Sequence, residues 1–364
     1  MNDGPQRIMA PDDVPPPTDL PAYWKSRLED IEAELQAVTR GEVTTIATSP
    51  GGRPVFAVSY GEREDFHSRA NYNSAVAAGS PTYYARKTES TKPVILLVGP
   101  VHGQEVEGIV GAVNLVHILE TGIDYRGRDW SQLRTAADRF RFVIVPCGNP
   151  DGRARCPYDS FVGVPHLVMT KHGQGTHRDG TLWGWPGAKA NHPMRGDVGI
   201  LGCYYNDDGI NMVHDDFFSP MAAETAAILD LARREAPDIV LFLHSNEDPP
   251  FVVQTGSVPL LMRRRTREFA QRLKRRLMQE SLPHGPIHRL MADDGTRLPG
   301  RYFNLDSAAH HVCGATAFAF ECIHGVLRSG ERKPPATHEQ ILDIQLCLYD
   351  ELISYTLERR VCWG

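Results

Sequence analysis

The stretch PVILLVGPVHGQEVEGIVG, Pro93 to Gly111, decides how this chain folds. Its first seven residues are a continuous apolar run, the mark of a strand buried on both faces. Its last part opens a helical spacing of apolar residues, Val106, Ile109 and Val110, that continues beyond it through Val113, Val116 and Leu119. A buried strand turning directly into a helix is the opening of a βαβ unit, and it predicts a parallel sheet.

The same alternation continues outward. FRFVIVPC (140–147) and IVLFL (239–243) read as two further buried strands, and ATAFAFE (315–321) as a fourth. A helix is expected over roughly 221–235, with Ser219 as its N-cap and Pro220 at its first position. Thr337 and Gln340 form a capping box for a last helix through Ile341, Ile344, Leu348, Leu352 and Tyr355. Upstream, VTTIAT (43–48) and PVFAVSY (54–60) flank Ser-Pro-Gly-Gly and predict a hairpin. Trp24, Leu28, Ile31, Leu35 and Val38 line one side of a helix that stops near Gly41. The fold class is therefore α/β: a central mixed, mostly parallel β-sheet flanked by helices on both faces.

The 364 residues include 39 basic and 45 acidic side chains, for a net charge of −6. An acidic chain of this kind argues against a nucleic-acid partner. No run reaches the length of a membrane span, and no signal peptide is visible, so no membrane partner is expected. Seven cysteines without a C-x-x-C favour a reduced, cytoplasmic setting. Length alone suggests two domains. The candidate site residues nevertheless run around one sheet, which favours a Pro-rich, extended or disordered leader (1–21) and a single catalytic domain (22–364). Within it, a long irregular loop, about 153–208, is expected to wall a pocket.

The basic run from Arg263 to Arg276 carries Phe269, Leu273 and Leu277 at helical spacing, so it reads as a surface helix with one buried stripe. His166, His172, His177 and His192 show no ligand spacing and read as polar loop residues.

Chemistry gathers at the strand ends. His102 and Glu105 follow the first buried strand, His244 follows the third, and Glu321 ends the fourth. Ligands of open α/β sheets collect beyond the carboxyl ends of strands. Two neutral imidazoles and one carboxylate make a catalytic zinc set with an open fourth position. A second glutamate beside such a set is suited to general acid and base work. A lone H-x-x-E arises often by chance; its coincidence with His244 and Glu321 carries the signal.

At these residues the chain resembles the zinc metallocarboxypeptidases of the carboxypeptidase A and B type. The likeness runs through SPGGRPVFAV (49–58), GPVHGQEVEG (99–108), GNPDG (148–152), LFLHSN (241–246) and AFAFE (317–321), over roughly residues 22–356. It implies His102, Glu105 and His244 as ligands of one zinc ion per chain, with Glu321 as general base and acid. It also implies an arginine that stabilises the oxyanion, with Arg195 as the candidate and Arg155 as its competitor. Asn211 falls where the family's Asn-Arg carboxylate clamp stands, and Tyr302 where a tyrosine closes over substrate. Met212 replaces the clamp's arginine, and a thioether cannot fork onto a carboxylate; Arg301 or Arg178 would have to reach in instead.

The expected activity is thus zinc-dependent hydrolysis of an amide bond in a peptide or peptide-like substrate. The alternatives are a zinc amidase or deacylase of small N-acylated molecules, and a non-catalytic zinc-binding paralogue.

Overall fold

The computed structural model describes residues 8–286 and 303–361. It holds a seven-stranded sheet in the order β1-β2-β4-β3-β5-β7-β6. The strands are β1 (Glu42–Thr48), β2 (Pro54–Tyr60), β3 (Val94–Val98), β4 (Arg141–Val145), β5 (Ile239–Asn246), β6 (Phe251–Val253) and β7 (Thr316–Ile323). The four central strands, β4-β3-β5-β7, pair in parallel, while β1 and β2 on one side and β6 on the other add antiparallel rungs.

Alternation along the central strands builds a core on each face. Ile95, Leu97, Ile239, Leu241, Phe318 and Phe320 pack beneath α3 (Val106–Thr121), α8 (Leu260–Gln279) and α10 (His338–Glu358). Leu96, Val98, Val240, Phe242 and Ala317 face α7 (Ala223–Glu235) and α9 (Leu305–Cys313). Both faces are dry, which is why these strands read as unbroken apolar runs rather than alternating ones. In α8 the basic residues flank a buried stripe of Phe269, Leu273 and Leu277.

Chain order reverses beside β3: β4 lies on one side and β5 on the other. Loops leaving β3 and β5 therefore part, and the crevice between them is where such sheets bind ligands.

Two local expectations are corrected. The helix expected at Ser219 starts at Ala223, after N-cap Ala222. The amides of Phe218 and Ser219 go to the Asp216 carboxylate, and those of Met221 and Ala222 to Asp215, so a carboxylate-held turn uses the donors that would have opened a helix at Pro220. The 153–208 stretch is not wholly irregular either, because it contains α6 (His166–Gln174). The described part of the leader runs extended along it: Ile8 and Ala10 exchange backbone hydrogen bonds with Leu182 and Gly180, and Asp13 pairs with Lys171 and His172.

Candidate active site

The turn after β3 is shaped by close contact with α5 (Pro150–Arg155). A Cβ on Gly103 would fall 2.0 Å from the backbone carbon of Gly152, so only glycine lets the two segments meet. Asn149 caps α5 by accepting from the Gly152 amide at 2.8 Å, and its own amide donates to Val101 and Cys203 carbonyls. Asp151 anchors the β1–β2 hairpin: its carboxylate accepts from the Ser49 hydroxyl, the Gly51 amide and Arg53, and also from the Asp207 amide. The Asn-Pro-Asp-Gly segment thus ties the hairpin, the β3 turn and the residue-203 loop together.

Glu105 stands at the N-cap of α3 but makes no capping bond. Its carboxylate turns to the two histidines instead, with Oε1 2.7 Å from His102 Nδ1 and Oε2 2.8 Å from His244 Nδ1. One ligand atom from each of His102, Glu105 and His244 lies within 4.8 Å of the others, and all three residues are buried. Two imidazole nitrogens converging with one carboxylate match the donor set that zinc prefers.

The ring of His102 is fixed from two more sides. Its Nε2 donates to Asn211 Oδ1 at 3.2 Å, which leaves Nδ1 with a lone pair toward the cluster. Tyr204 stacks on it, with ring centroids 3.9 Å apart and planes 12° from parallel.

Glu321 faces His244 directly across the β5–β7 ladder. Its Oε2 accepts from Asn246 Nδ2 at 3.3 Å. Burial pushes Glu321 up to about 7, with His244 opposing. Burial alone would raise Glu105 as well, but the two imidazoles lower it to about 2. Burial would lower His244, yet Glu105 lifts it to about 9; His102 is lowered by burial against the pull of Glu105. Two nearby carboxyls in one site thus differ widely in proton affinity, as an acid–base residue beside a permanent anion requires.

These groups line a cleft of about 910 Å³ walled by α6, Trp183, Trp185, Tyr204, Val213, His214 and the Asn246–Asp248 turn. His166 also lines it, unlike His172, His177 and His192. His324 borders it too, its Nδ1 held 3.0 Å from the buried carboxylate of Glu107. Tyr204, Gln174 and the Glu107–His324 pair were not found from sequence; the one signal that could have found His324 is its place three residues after Glu321, just beyond β7.

The expected arginines among the described residues lie elsewhere. Arg195 is exposed, outside the cleft lining, in a turn where the Asn191 amide holds its carbonyl. Arg155 is turned away to Asp207 and the carbonyls of Tyr205 and Gly202. Arg178 is exposed and also outside the lining. Asn211 borders the cleft but is engaged with His102 and the Val213 amide. Met212 is fully buried in the α7–α9 core, so the residues that border the cleft beyond Asn211 are Val213 and His214. Tyr302 and Arg301 fall outside the described residues. Among the described lining residues, Lys189 is the sole lysine or arginine, and it lies over Trp185 at 4.9 Å.

Residues 28–164 match the model of the zinc carboxypeptidase family, a span that includes His102 and Glu105 and stops before His244. No curated protein matches the chain. Among solved structures it is similar to the metallo-carboxypeptidase of Burkholderia cenocepacia, with TM-score 0.53 and 15% identity over 90% of this chain and 69% of that one. The carboxypeptidase A of Helicoverpa armigera gives TM-score 0.51 and 13% identity over 93% and 75%. The metallo-carboxypeptidase of Pseudomonas aeruginosa, in complex with (2-guanidinoethylmercapto)succinic acid, gives 0.51 and 12% over 90% and 68%. At these identities the likeness is one of fold.

Proposed function

We propose, from the premise that this chain is a divergent metallopeptidase-like hydrolase of the zinc carboxypeptidase family, that it cleaves an amide bond in a peptide or peptide-like substrate. The carrying observation is the convergence of His102 Nδ1 and His244 Nδ1 on Glu105, with Glu321 on the same rung as His244. Residues 22–364 act as one catalytic domain in this reading, with His102, Glu105 and His244 holding one zinc ion. When bound, that ion supplies a Lewis acid for the carbonyl and lowers the pKa of water.

The chain's own residues supply the proton handling. Glu321, with its raised proton affinity, accepts a proton from the attacking water and returns it to the leaving nitrogen. Asn246 holds the carboxylate in place, and Asn211 sets the tautomer of His102.

A second reading, an amidase or deacylase of small N-acylated molecules, is favoured by one observation. The described cleft presents Val213 and His214 beyond Asn211, and burial lowers His214 to about 3, so it carries no charge near neutrality. A free terminal carboxylate finds no forked cation there.

The test of the common core is metal analysis of His102→Ala beside the wild-type protein. The account expects one zinc in the wild type and its loss, with amide hydrolysis, in the variant. Unchanged zinc in His102→Ala contradicts the ligand set, and a metal-free wild type contradicts the function.

A further inference from the structure

Hydrolysis of an amide builds negative charge on the carbonyl oxygen, and a donor aimed at that oxygen is often the largest single protein contribution. Arg195 and Arg155 do not reach the cleft, and Lys189 lies exposed at Trp185. Among the described residues, the donor is therefore sought among the neutral groups beside the ligand cluster.

We propose that Tyr204 is a catalytic residue whose phenol O–H donates to the substrate's carbonyl oxygen as it becomes an oxyanion. The inference rests on the amide-hydrolase reading above. Three observations carry it. Tyr204 is stacked on the ring of His102, so its hydroxyl is fixed next to the ligand cluster. It borders the same cleft as Glu105 and Glu321. Its oxygen accepts a hydrogen bond from Gln174 Nε2 at 3.3 Å, which leaves its own proton to be given away.

Gln174 is the positioning residue of the pair. It ends α6 and borders the cleft, and among the described residues its buried Oε1 has no hydrogen-bond partner, an arrangement that costs stability. The ring stack supplies the stiffness: a hydroxyl on a locked aromatic needs no reorganisation when charge develops.

The test uses full-length, zinc-loaded protein. Tyr204→Phe should keep its zinc and its melting temperature, hold KM within about threefold, and lose roughly 10- to 1000-fold in kcat. Acetohydroxamate, whose anionic oxygen can occupy the same place, should bind to Tyr204→Phe at least about tenfold more weakly by calorimetry. Gln174→Met leaves the phenol present but loosely held. It should lose a smaller part of kcat and of hydroxamate affinity with KM unchanged, and Gln174→Asn should regain part of both. Zinc-replete Tyr204→Phe with wild-type kcat and hydroxamate affinity overturns the proposal. So does loss of zinc in Tyr204→Phe, which keeps the stacked ring: the hydroxyl would then act through the metal site and not on the substrate. Should Tyr204→Phe fail to fold, unaltered kcat and hydroxamate affinity in Gln174→Met overturn it. The hydroxamate arm needs no substrate, so failure of wild-type amide hydrolysis reads separately from failure of the tyrosine assignment.

Discussion

Glu321 and His244 occupy one rung of the β5–β7 ladder. In a parallel pair, side chains in register project to the same side of the sheet, so the proposed base and one proposed metal ligand are set side by side by backbone hydrogen bonding alone. A slip of one residue would turn either group to the opposite face. The apolar residues around them, Phe242 and Phe320 among others, make that slip costly because both faces of the sheet are buried.

The proton affinity of Glu321 gives a pH dependence. Burial raises it to about 7, and the carboxylate is the form that accepts a proton. Activity should therefore fall as pH drops through its value. A dication beside it can only lower that value. The acid limb of kcat/KM should lie between about 5 and 7. A limb above pH 8, or activity that rises as pH falls, would contradict the assignment.

Asn211 should matter through the metal. Its Oδ1 orients His102 from 3.2 Å, and loss of such a partner typically weakens metal affinity roughly 10- to 100-fold. Asn211→Ala should show that weakening in a zinc competition titration with a chelating dye. Asn211→Asp, which keeps an acceptor oxygen in place, should recover most of it. Equal zinc affinity in wild type and Asn211→Ala would show that the bond does not orient the ligand.

Asp151 should set part of the acid stability. Its side chain is fully buried and, although burial alone would raise its pKa, bonds from Ser49, Arg53 and the amides of Asp207 and Gly51 hold it below the ordinary value. A carboxyl depressed in the folded state stabilises above its unfolded pKa, and that stability is lost as pH falls through the folded value. Asp151→Asn should cost roughly 1–3 kcal/mol near neutrality. It should also flatten the fall of melting temperature below about pH 4. Calorimetric scans of both proteins from pH 7 to 3 would check both expectations.

The cleft's charges predict a weak need for a terminal carboxylate. Matched peptides with free and amidated C-termini should be cleaved with kcat/KM within roughly tenfold of one another, since no forked arginine discriminates between them among the described residues. A preference for the free acid of more than about a thousandfold would place a cation in the cleft.

Much of this was legible in the sequence because of the sheet. Strands buried on both faces write themselves as unbroken apolar runs, and the four groups stand near their carboxyl ends: His244 and Glu321 inside β5 and β7, His102 and Glu105 just beyond β3. The rest depends on contacts between distant segments. Asn211 meets His102 across 109 residues, and nothing in its own neighbourhood announces that bond. Tyr204 sits in a glycine-rich loop whose shape comes from Gly103, Asn149 and Cys203 acting together. α6 was missed since His166–Gln174 mixes histidine, lysine and glycine with few apolar residues. Reading Met212 as a cleft residue failed for a related reason: the short turn after Asn211 directs Met212 into the core and leaves His214 at the cleft.

The most direct measurement is turnover of zinc-loaded Glu321→Gln, with zinc content determined on the same sample. Removal of a general base typically costs roughly 10²- to 10⁴-fold. The account predicts one zinc per chain, as in the wild type, and amide hydrolysis reduced to that extent or further. A fully zinc-loaded Glu321→Gln that hydrolyses the amide at the wild-type rate would contradict it.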